Sequence, residues 1–385
     1  MIAIALGVIA AGAWTYLLLG RGQFWLARET DAAPVAAPRS WPAVAAVVPA
    51  RDEADVIAES VGSLLRQDYP GPFKVILVDD DSSDGTAQAA RAAAERLGAS
   101  ERLEVLQGAA LPAGWTGKLW AVSQGVAHAT AAQPAPKYLL LTDADIAHAP
   151  DNLSSLVARA EAKGLRLASL MAELHCATWP ERLLIPAFVL FFQMLYPFRW
   201  VNQARHRLGA AAGGCMLAER QALEAAGGIA AIRTALIDDC ALGALMKRQG
   251  PVWLGLTHRA RSIRPYRTVG AIGRMISRSA YAQLGYSVLM LAGTLLGLAL
   301  IYLAPPALAL FASGWARLAG AFAWVAMAIA FQPMLRFYRR SPLWGPALPL
   351  IGTLYAGFTL QSAIQVWRGR GGMWKGRSQA LAGAA

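Results

Sequence analysis

A chain of 385 residues, 56% of them hydrophobic, with a mean hydropathy of +0.37, is too apolar for an ordinary soluble domain. It is long enough for one sizeable domain plus membrane segments. The formal net charge of +12 suggests nucleic acid until it is mapped: every Asp and Glu lies at or before Asp239, and the 16 Lys and Arg beyond it share their region with the long apolar runs. That distribution excludes a basic nucleic-acid binder and points to anionic lipid headgroups. Cys176, Cys215 and Cys240, with no C-x-x-C, exclude a disulfide framework or a zinc site and read as small core residues in a reducing compartment.

Residues 1–20 carry no charged side chain and are long enough to span a bilayer, and they lack the basic start of a signal peptide. They read as an uncleaved anchor, and Arg21 and Arg28 behind it place the next domain on the cytoplasmic side. Residues 21–42 hold an Ala- and Pro-rich linker. From 43 to 267 strand and helix patterns alternate. Apolar runs at 43–49, 73–78, 103–107 and 138–142 predict four strands. Helical spacing predicts helices over 53–67, 83–97 and 118–129. The pattern is that of an α/β domain with a mostly parallel sheet, in which ligands bind beyond the carboxyl ends of the strands.

Residues 183–198 are apolar but short and carry Pro186 and Pro197, which suits an interfacial segment or a buried core helix. A basic interfacial helix is expected over 268–284. Charge-free stretches at 279–316, 318–335 and 341–367 then predict three spans near 285–307, 316–335 and 346–366, followed by a basic tail, 368–385. Counting spans puts that tail opposite to its basic residues. A re-entrant segment broken at Pro305-Pro306, or at Pro346 and Pro349, would remove the conflict.

Three acidic clusters carry the chemistry. The strand-like Tyr138-Leu-Leu-Leu-Thr run ends in Asp143-Ala144-Asp145, where alternation puts both carboxylates on one side. Such a pair repels itself unless a hard cation, Mg²⁺ or Mn²⁺, sits between them and bridges to a phosphate. Asp80 stands at another strand end, in an acidic run where turn formation and helix capping suit Asp84 and Thr86. Lys118 follows the Gly114-Trp-Thr-Gly117 turn and is suited to diphosphate charge or to plain solvation. Asp238-Asp239 precede a helix over 240–247, as a general base or as caps.

In order and spacing these residues resemble family 2 glycosyltransferases. Val47-Val48-Pro49-Ala50-Arg51-Asp52-Glu53 resembles their opening strand and loop, and Val78-Asp79-Asp80-Asp81-Ser82-Ser83-Asp84-Gly85-Thr86 their V-D-D-x-S-x-D-x-T signature. Gly117-Lys118, Asp143-Ala144-Asp145, Asp238-Asp239 and Arg274-Met-Ile-Ser-Arg278 match the later motifs. The layout, with its anchor, terminal spans and Trp374-Lys375-Gly376-Arg377, is similar to hopanoid-associated membrane glycosyltransferases, with carotenoid and ceramide glycosyltransferases as relatives.

The resemblance implies a GT-A nucleotide-sugar-binding domain in a multi-pass inner-membrane protein, its catalytic domain cytoplasmic. It implies a UDP-sugar donor held by Pro49, Arg51, Glu53, Asp80, Lys118 and Asp143, and a Mg²⁺ or Mn²⁺ ion at Asp145 and Asp143. Asp239 is the implied base, with Asp238 as its alternative. The acceptor would be a hydroxyl of a membrane lipid. Arg274 and Arg278, on one helical face, would grip diphosphate or lipid phosphate, or form an interfacial patch with Arg261, Arg264 and Arg267. Ser279 replaces the family's Trp, which weakens a processive polysaccharide synthase. Transfer to a polyprenyl phosphate and a non-catalytic scaffold are the rival readings. His175 and His258 stand as candidate third metal ligands.

Overall fold

The structure, a computed structural model, describes residues 1–374 and 377–378. Lys375 and Gly376 of the Trp374–Arg377 motif, and 379–385 of the expected tail, lie outside the described residues. The chain forms two compact units. One gathers Met1–Arg28, Cys176–Arg199 and Tyr266–Met373; the other contains Glu29–His175 and Trp200–Pro265.

The second unit is built on a sheet of β1 (Val44–Ala50), β2 (Phe73–Asp79), β3 (Leu103–Gln107), β4 (Tyr138–Leu141), β5 (Ile146–His148), β6 (Leu167–Glu173), β7 (Met216–Glu219) and β8 (Val252–Ser262). Their order is β3-β2-β1-β4-β7-β6-β8-β5. Pairs β1/β2, β2/β3, β1/β4 and β6/β8 are parallel, whereas β4/β7, β6/β7 and β5/β8 are antiparallel. The four expected strands are β1 to β4. The others were not anticipated: Leu167–Glu173 has no β-branched or aromatic residue and no polar/apolar alternation, so periodicity alone does not mark it.

Parallel register brings the carboxyl ends of β1, β2 and β4 to one edge, with Ala50 opposite Asp79 and Val47 opposite Leu141. Antiparallel β7 then starts where β4 ends, Leu141 facing Met216, so the Gly213-Gly214 loop arrives at the same edge. The core beneath it is dry and continuous, from Val48, Ile57 and Leu64 through Leu77 and Leu140 to Leu153, Leu170 and Leu217. Burying each such side chain stabilises the fold by about 1.5–3 kcal/mol against an exposed reference.

Part of the expected linker belongs to this unit. Thr30 bridges Leu256 in parallel, Asp31 N–H donates to the Leu256 carbonyl at 3.1 Å, and buried Asp31 accepts from Thr257 Oγ1 at 2.6 Å. Pro34, Pro38 and Pro42 follow directly, and that linker-like composition hid a two-residue docking point.

The first unit contains four helices long and apolar enough to cross a membrane: Ile2–Leu19, Val288–Phe311, Gly314–Phe337 and Pro342–Trp367. Ile4, Val8, Leu289, Leu296, Leu318, Phe322 and Val325 are among many large apolar side chains exposed along them. Pro305-Pro306 does not break its helix. A π-turn over Ala299–Leu303 precedes Ala304–Phe311, with the prolines in that first turn. Ile301 would ordinarily accept from the residue four ahead, which is Pro305 and has no N–H. The indole of Trp14 donates to that carbonyl instead, at 2.8 Å. Pro349 sits in the first turn of Leu348–Trp367 and is tolerated for the same reason.

The short apolar segment is a helix, Trp179–Leu195, that belongs to this unit rather than to the sheet. Buried Glu181 accepts from the N–H groups of Ala177 and Thr178 at its start, and Arg21 donates to the Met194 and Leu195 carbonyls at its end. Both placements suit the helix dipole.

Candidate functional site

The site lies along the sheet edge of the second unit. Two loops close its left side. Loop 51–55 and loop 80–86 are stitched reciprocally: Asp52 N–H donates to Ser82 Oγ at 2.9 Å, Glu53 N–H to Thr86 Oγ1 at 2.8 Å, and Ala54 N–H to Asp84 Oδ2 at 2.9 Å. Ser83 N–H returns a bond to Asp52 Oδ1 at 2.9 Å. Asp52 and Asp81 sit at positive φ, 50° and 58°, in the left-handed region that Asp tolerates better than most residues. Asp84 therefore secures the loops, and its hydrogen bonds from Thr86 and Ala54 hold its carboxyl below the usual range, with burial opposing them.

Asp80 is buried, 3% exposed, with Arg51 3.6 Å from its carboxylate and donating to its own carbonyl. Asp80 N–H donates to the Ala50 carbonyl at 2.8 Å, which ties the two strand ends together.

The centre is a chain of alternating charge. Lys118, in the first turn of helix Gly117–Ala131, lies 2.8 Å from Asp143 Oδ1 and 2.9 Å from Asp238 Oδ2. Thr116 caps that helix by accepting from Leu119 N–H at 3.4 Å. Burial alone would lower the pKa of Lys118, but Asp143 and Asp238 outweigh it and hold the ammonium firmly charged. Burial pushes Asp143 upward, with Asp145 and Asp238 adding to that and Lys118 opposing.

Asp238 and Asp239 open helix Asp238–Lys247, so the expected helix begins two residues early and both carboxylates lie in its first turn. Asp239 accepts from Gly213 N–H at 3.0 Å and from Cys240 N–H at 2.7 Å. Burial, with the charge of Asp238, pushes it up to about 6, against Lys118 and those two N–H donors. A cleft of about 320 Å³, open to solvent, lies over Lys118, Asp143, Gly213 and Asp238, floored by Val122, Leu141, Met216 and Ile232.

A buried polar relay holds this centre from below. Thr142 Oγ1 donates to the Gly214 carbonyl at 2.7 Å and is 3.0 Å from His148 Nε2, while Asn152 Nδ2 lies 2.9 Å from His148 Nδ1. Since Thr142 has spent its proton on Gly214 and the Asn amide donates to Nδ1, the ring carries its proton on Nε2 and is neutral. Burial keeps it so, lowering its pKa to about 4. Neither Thr142 nor His148 was anticipated.

Arg264 was expected in an interfacial patch. It lies instead among acids: Nε donates to Asp145 Oδ2 at 3.1 Å, and Nη2 pairs with Glu53. Arg274 and Arg278 are exposed in the other unit, in and just after helix Val269–Ser277, and pair with no acid among the described residues. The expected helix over 268–284 is in fact two, Val269–Ser277 and Ala280–Gln283. His258 lies 2.7 Å from Glu173. No group of three His, Cys, Asp or Glu side chains suited to a metal ion occurs among the described residues, so neither His258 nor His175 completes such a set. Asp143 and Asp145 offer oxygen donors only, which suits a hard cation that keeps several waters and takes its other ligands from a phosphate. Cys215 and Cys240 are buried, as small core residues should be, and Cys176 is half-buried.

Residues 45–227 match the family model for Glycosyl transferase family 2. Among solved structures, the chain is similar to the mannosyltransferase PcManGT from Pyrobaculum calidifontis in complex with GDP-Man and Mn²⁺. Identity is 21%, the match covers 95% of this chain and 99% of that one, and the TM-score is 0.56. Weaker likenesses are to S. aureus TarS 1-349 in complex with UDP-GlcNAc (12% identity, 85% and 92% covered, TM-score 0.42) and to M. tuberculosis glucosyl-3-phosphoglycerate synthase (17%, 63% and 80%, TM-score 0.40). No curated protein sequence matches the chain. The sheet unit thus has an α/β, GT-A-like fold with a mixed, mostly parallel sheet, and residues 45–227 carry a glycosyl transferase family 2 domain.

Proposed function

We propose that this protein is a membrane-bound glycosyltransferase. It moves one sugar from a UDP-sugar to a hydroxyl of a membrane lipid, hopanoid or polyisoprenoid-like, with inversion at the anomeric carbon. The observation that carries this reading is the convergence of Asp143, Asp238 and Asp239 around Lys118 and Gly213 at the mouth of one cleft. The four apolar helices support a lipid acceptor and a multi-pass membrane placement, and Arg21 and Arg28 behind the first of them support an inner-membrane orientation with the catalytic unit in the cytoplasm.

In this reading Asp80, with Pro49, Arg51 and Glu53, receives the nucleobase side of the donor. Lys118 turns from Asp143 and Asp238 to the diphosphate. Asp145, with Asp143, holds a Mg²⁺ or Mn²⁺ ion, which when bound supplies positive charge to the departing diphosphate. Asp239 takes the proton of the acceptor hydroxyl while that oxygen attacks the sugar, and Asp238 keeps its neighbour basic. Arg274 and Arg278 hold the diphosphate or lipid phosphates.

A carboxylate poised near 6 is ionised at neutral pH yet basic enough for general-base work. A phosphate acceptor, already anionic, would need no general base, so the loss of turnover in Asp239→Ala separates a hydroxyl acceptor from a polyprenyl phosphate.

The test is UDP release by the detergent-purified protein with several UDP-sugars, with and without Mn²⁺ or Mg²⁺ and a hopanoid-rich lipid extract. Turnover of one donor should require metal, rise with lipid, and vanish in Asp145→Ala and Asp239→Ala. If the protein neither releases nor binds UDP under any of these conditions, a scaffold that retained the fold is the better description.

A further inference from the structure

Arg264 is held by three acids. Its Nε donates to Asp145 Oδ2 at 3.1 Å, Nη2 pairs with Glu53, and Nη1 lies 3.9 Å from Asp55. The approach is set by backbone: Ile263 N–H donates to the Asp145 carbonyl at 2.9 Å, directly beyond the β5/β8 pairing of Ile146 with Ser262. The arginine is thus aimed back at Asp145 by the sheet and is not a mobile surface cation that happens to be near. Burial disfavours its charge, but Glu53 and Asp145 overcome this and raise its pKa.

A divalent ion and a guanidinium compete for the same carboxylate oxygen. Coordination requires an approach of about 2.0–2.1 Å for Mg²⁺, which leaves no room for a hydrogen-bonded nitrogen on that lone pair. We propose that Arg264 is a placeholder cation: it neutralises Asp145 and Glu53 while the donor is absent, and it turns to the donor diphosphate when metal and nucleotide arrive together. Its planar fork of donors matches phosphate oxygens as well as carboxylates, so the exchange keeps the side chain paired in both states. The proposal rests on the reading of Asp145 as a metal ligand. Its consequence is a change of sign. Arg264 opposes binding of the bare metal and assists binding of the diphosphate, so metal without nucleotide is poorly retained.

The experiment measures Mn²⁺ alone, by the paramagnetic signal of the free ion, and UDP at saturating Mn²⁺, by calorimetry, on the full chain in detergent. Arg264→Gln should bind Mn²⁺ alone roughly tenfold more tightly than the wild type and bind UDP with Mn²⁺ several-fold more weakly. Arg261→Gln removes the same formal charge from an exposed pair with Glu59, 3.1 Å away, and should change neither value. Should Arg264→Gln fail to fold, Arg264→Lys keeps one charge but cannot span Asp145 and Glu53 together, and should show the same two shifts at smaller size. No gain in Mn²⁺ affinity, or an equal gain in Arg261→Gln, overturns the placeholder. If the wild type binds no Mn²⁺ with or without UDP, or if Asp145→Asn binds it as well as the wild type, the reading of Asp145 itself falls and takes the proposal with it.

Discussion

Gly213 and Asp239 are joined by a hydrogen bond of 3.0 Å, backbone N–H to Oδ2, across 26 residues of chain. A Cβ at Gly213 would stand 3.6 Å from both Asp143 Oδ2 and Asp239 Oδ2, so the glycine keeps the space between the two acidic groups open. The bond orients a carboxylate whose burial, together with Asp238, sets its pKa at about 6. Donor turnover should therefore fall as pH drops through about 6, read as kcat/KM against pH. Asp239→Asn should lose ~10²–10⁴-fold in rate. The fold raises this pKa from 3.8, so the group's contribution to stability is full below that value and is lost as pH rises through about 6. The melting temperature of Asp239→Asn relative to the wild type should improve over the same interval.

His148 behaves oppositely. Burial lowers its pKa from 6.5 to about 4, so the unfolded chain takes up a proton that the folded one refuses. The stability it contributes is present above pH 6.5 and drains away as pH falls toward 4, by about 3 kcal/mol in all. Denaturant titrations of the solubilised protein between those limits should show the slope. His148→Gln should flatten it while lowering stability at pH 8, because Thr142 and Asn152 lose a partner shaped to both.

Gly243 lies inside helix Asp238–Lys247, where replacing glycine by alanine ordinarily stabilises by about 0.5–1 kcal/mol. Here a Cβ would fall 2.2 Å from the carbonyl carbon of Ala210 and 2.6 Å from Ala211 N. Backbone cannot yield as a side-chain tip can. Gly243→Ala should destabilise by about 1–3 kcal/mol or more, seen as a lower melting temperature. It should also cut donor turnover, since the displaced loop runs on to Gly213.

Trp14→Phe removes the donor that serves Ile301, whose own helical partner is Pro305. The expected loss is about 1 kcal/mol. Pro305→Ala restores an N–H at that position, so the loss from Trp14→Phe should shrink in the Pro305→Ala background. A double-mutant cycle on thermal unfolding in detergent measures the coupling.

The acids of the site were legible because each sits at the end of a short apolar run or the start of a helix, where local pattern is strong. Period and position put Asp80, Asp143 and Asp145 at strand ends, but their proposed roles came only from the resemblance of the whole motif set. Arg264 was not legible, since its meeting with Asp145 spans 119 residues and depends on β8 lying beside β5. Thr142 and His148 were invisible for a related reason: a Thr before an acid and a His on a three-residue strand acquire meaning only through Gly214, 72 residues away from Thr142. The segment at 176–199 reads as apolar from composition, but composition does not say which of two units it joins.

The strand order also imposes a schedule on synthesis. β6 has β7 and β8 for neighbours, and β5 has β8 alone. When the ribosome has made residues up to 202, β5 and β6 exist but have no partner, and one side of β4 stands open. The strand that fills the gap between β4 and β6 emerges only after helix Trp179–Leu195 has been made. Nascent chains must therefore wait with unpaired strand edges, a state prone to sticking to other chains. A stalled chain ending near residue 210 should be far more aggregation-prone than one ending just past Ser262.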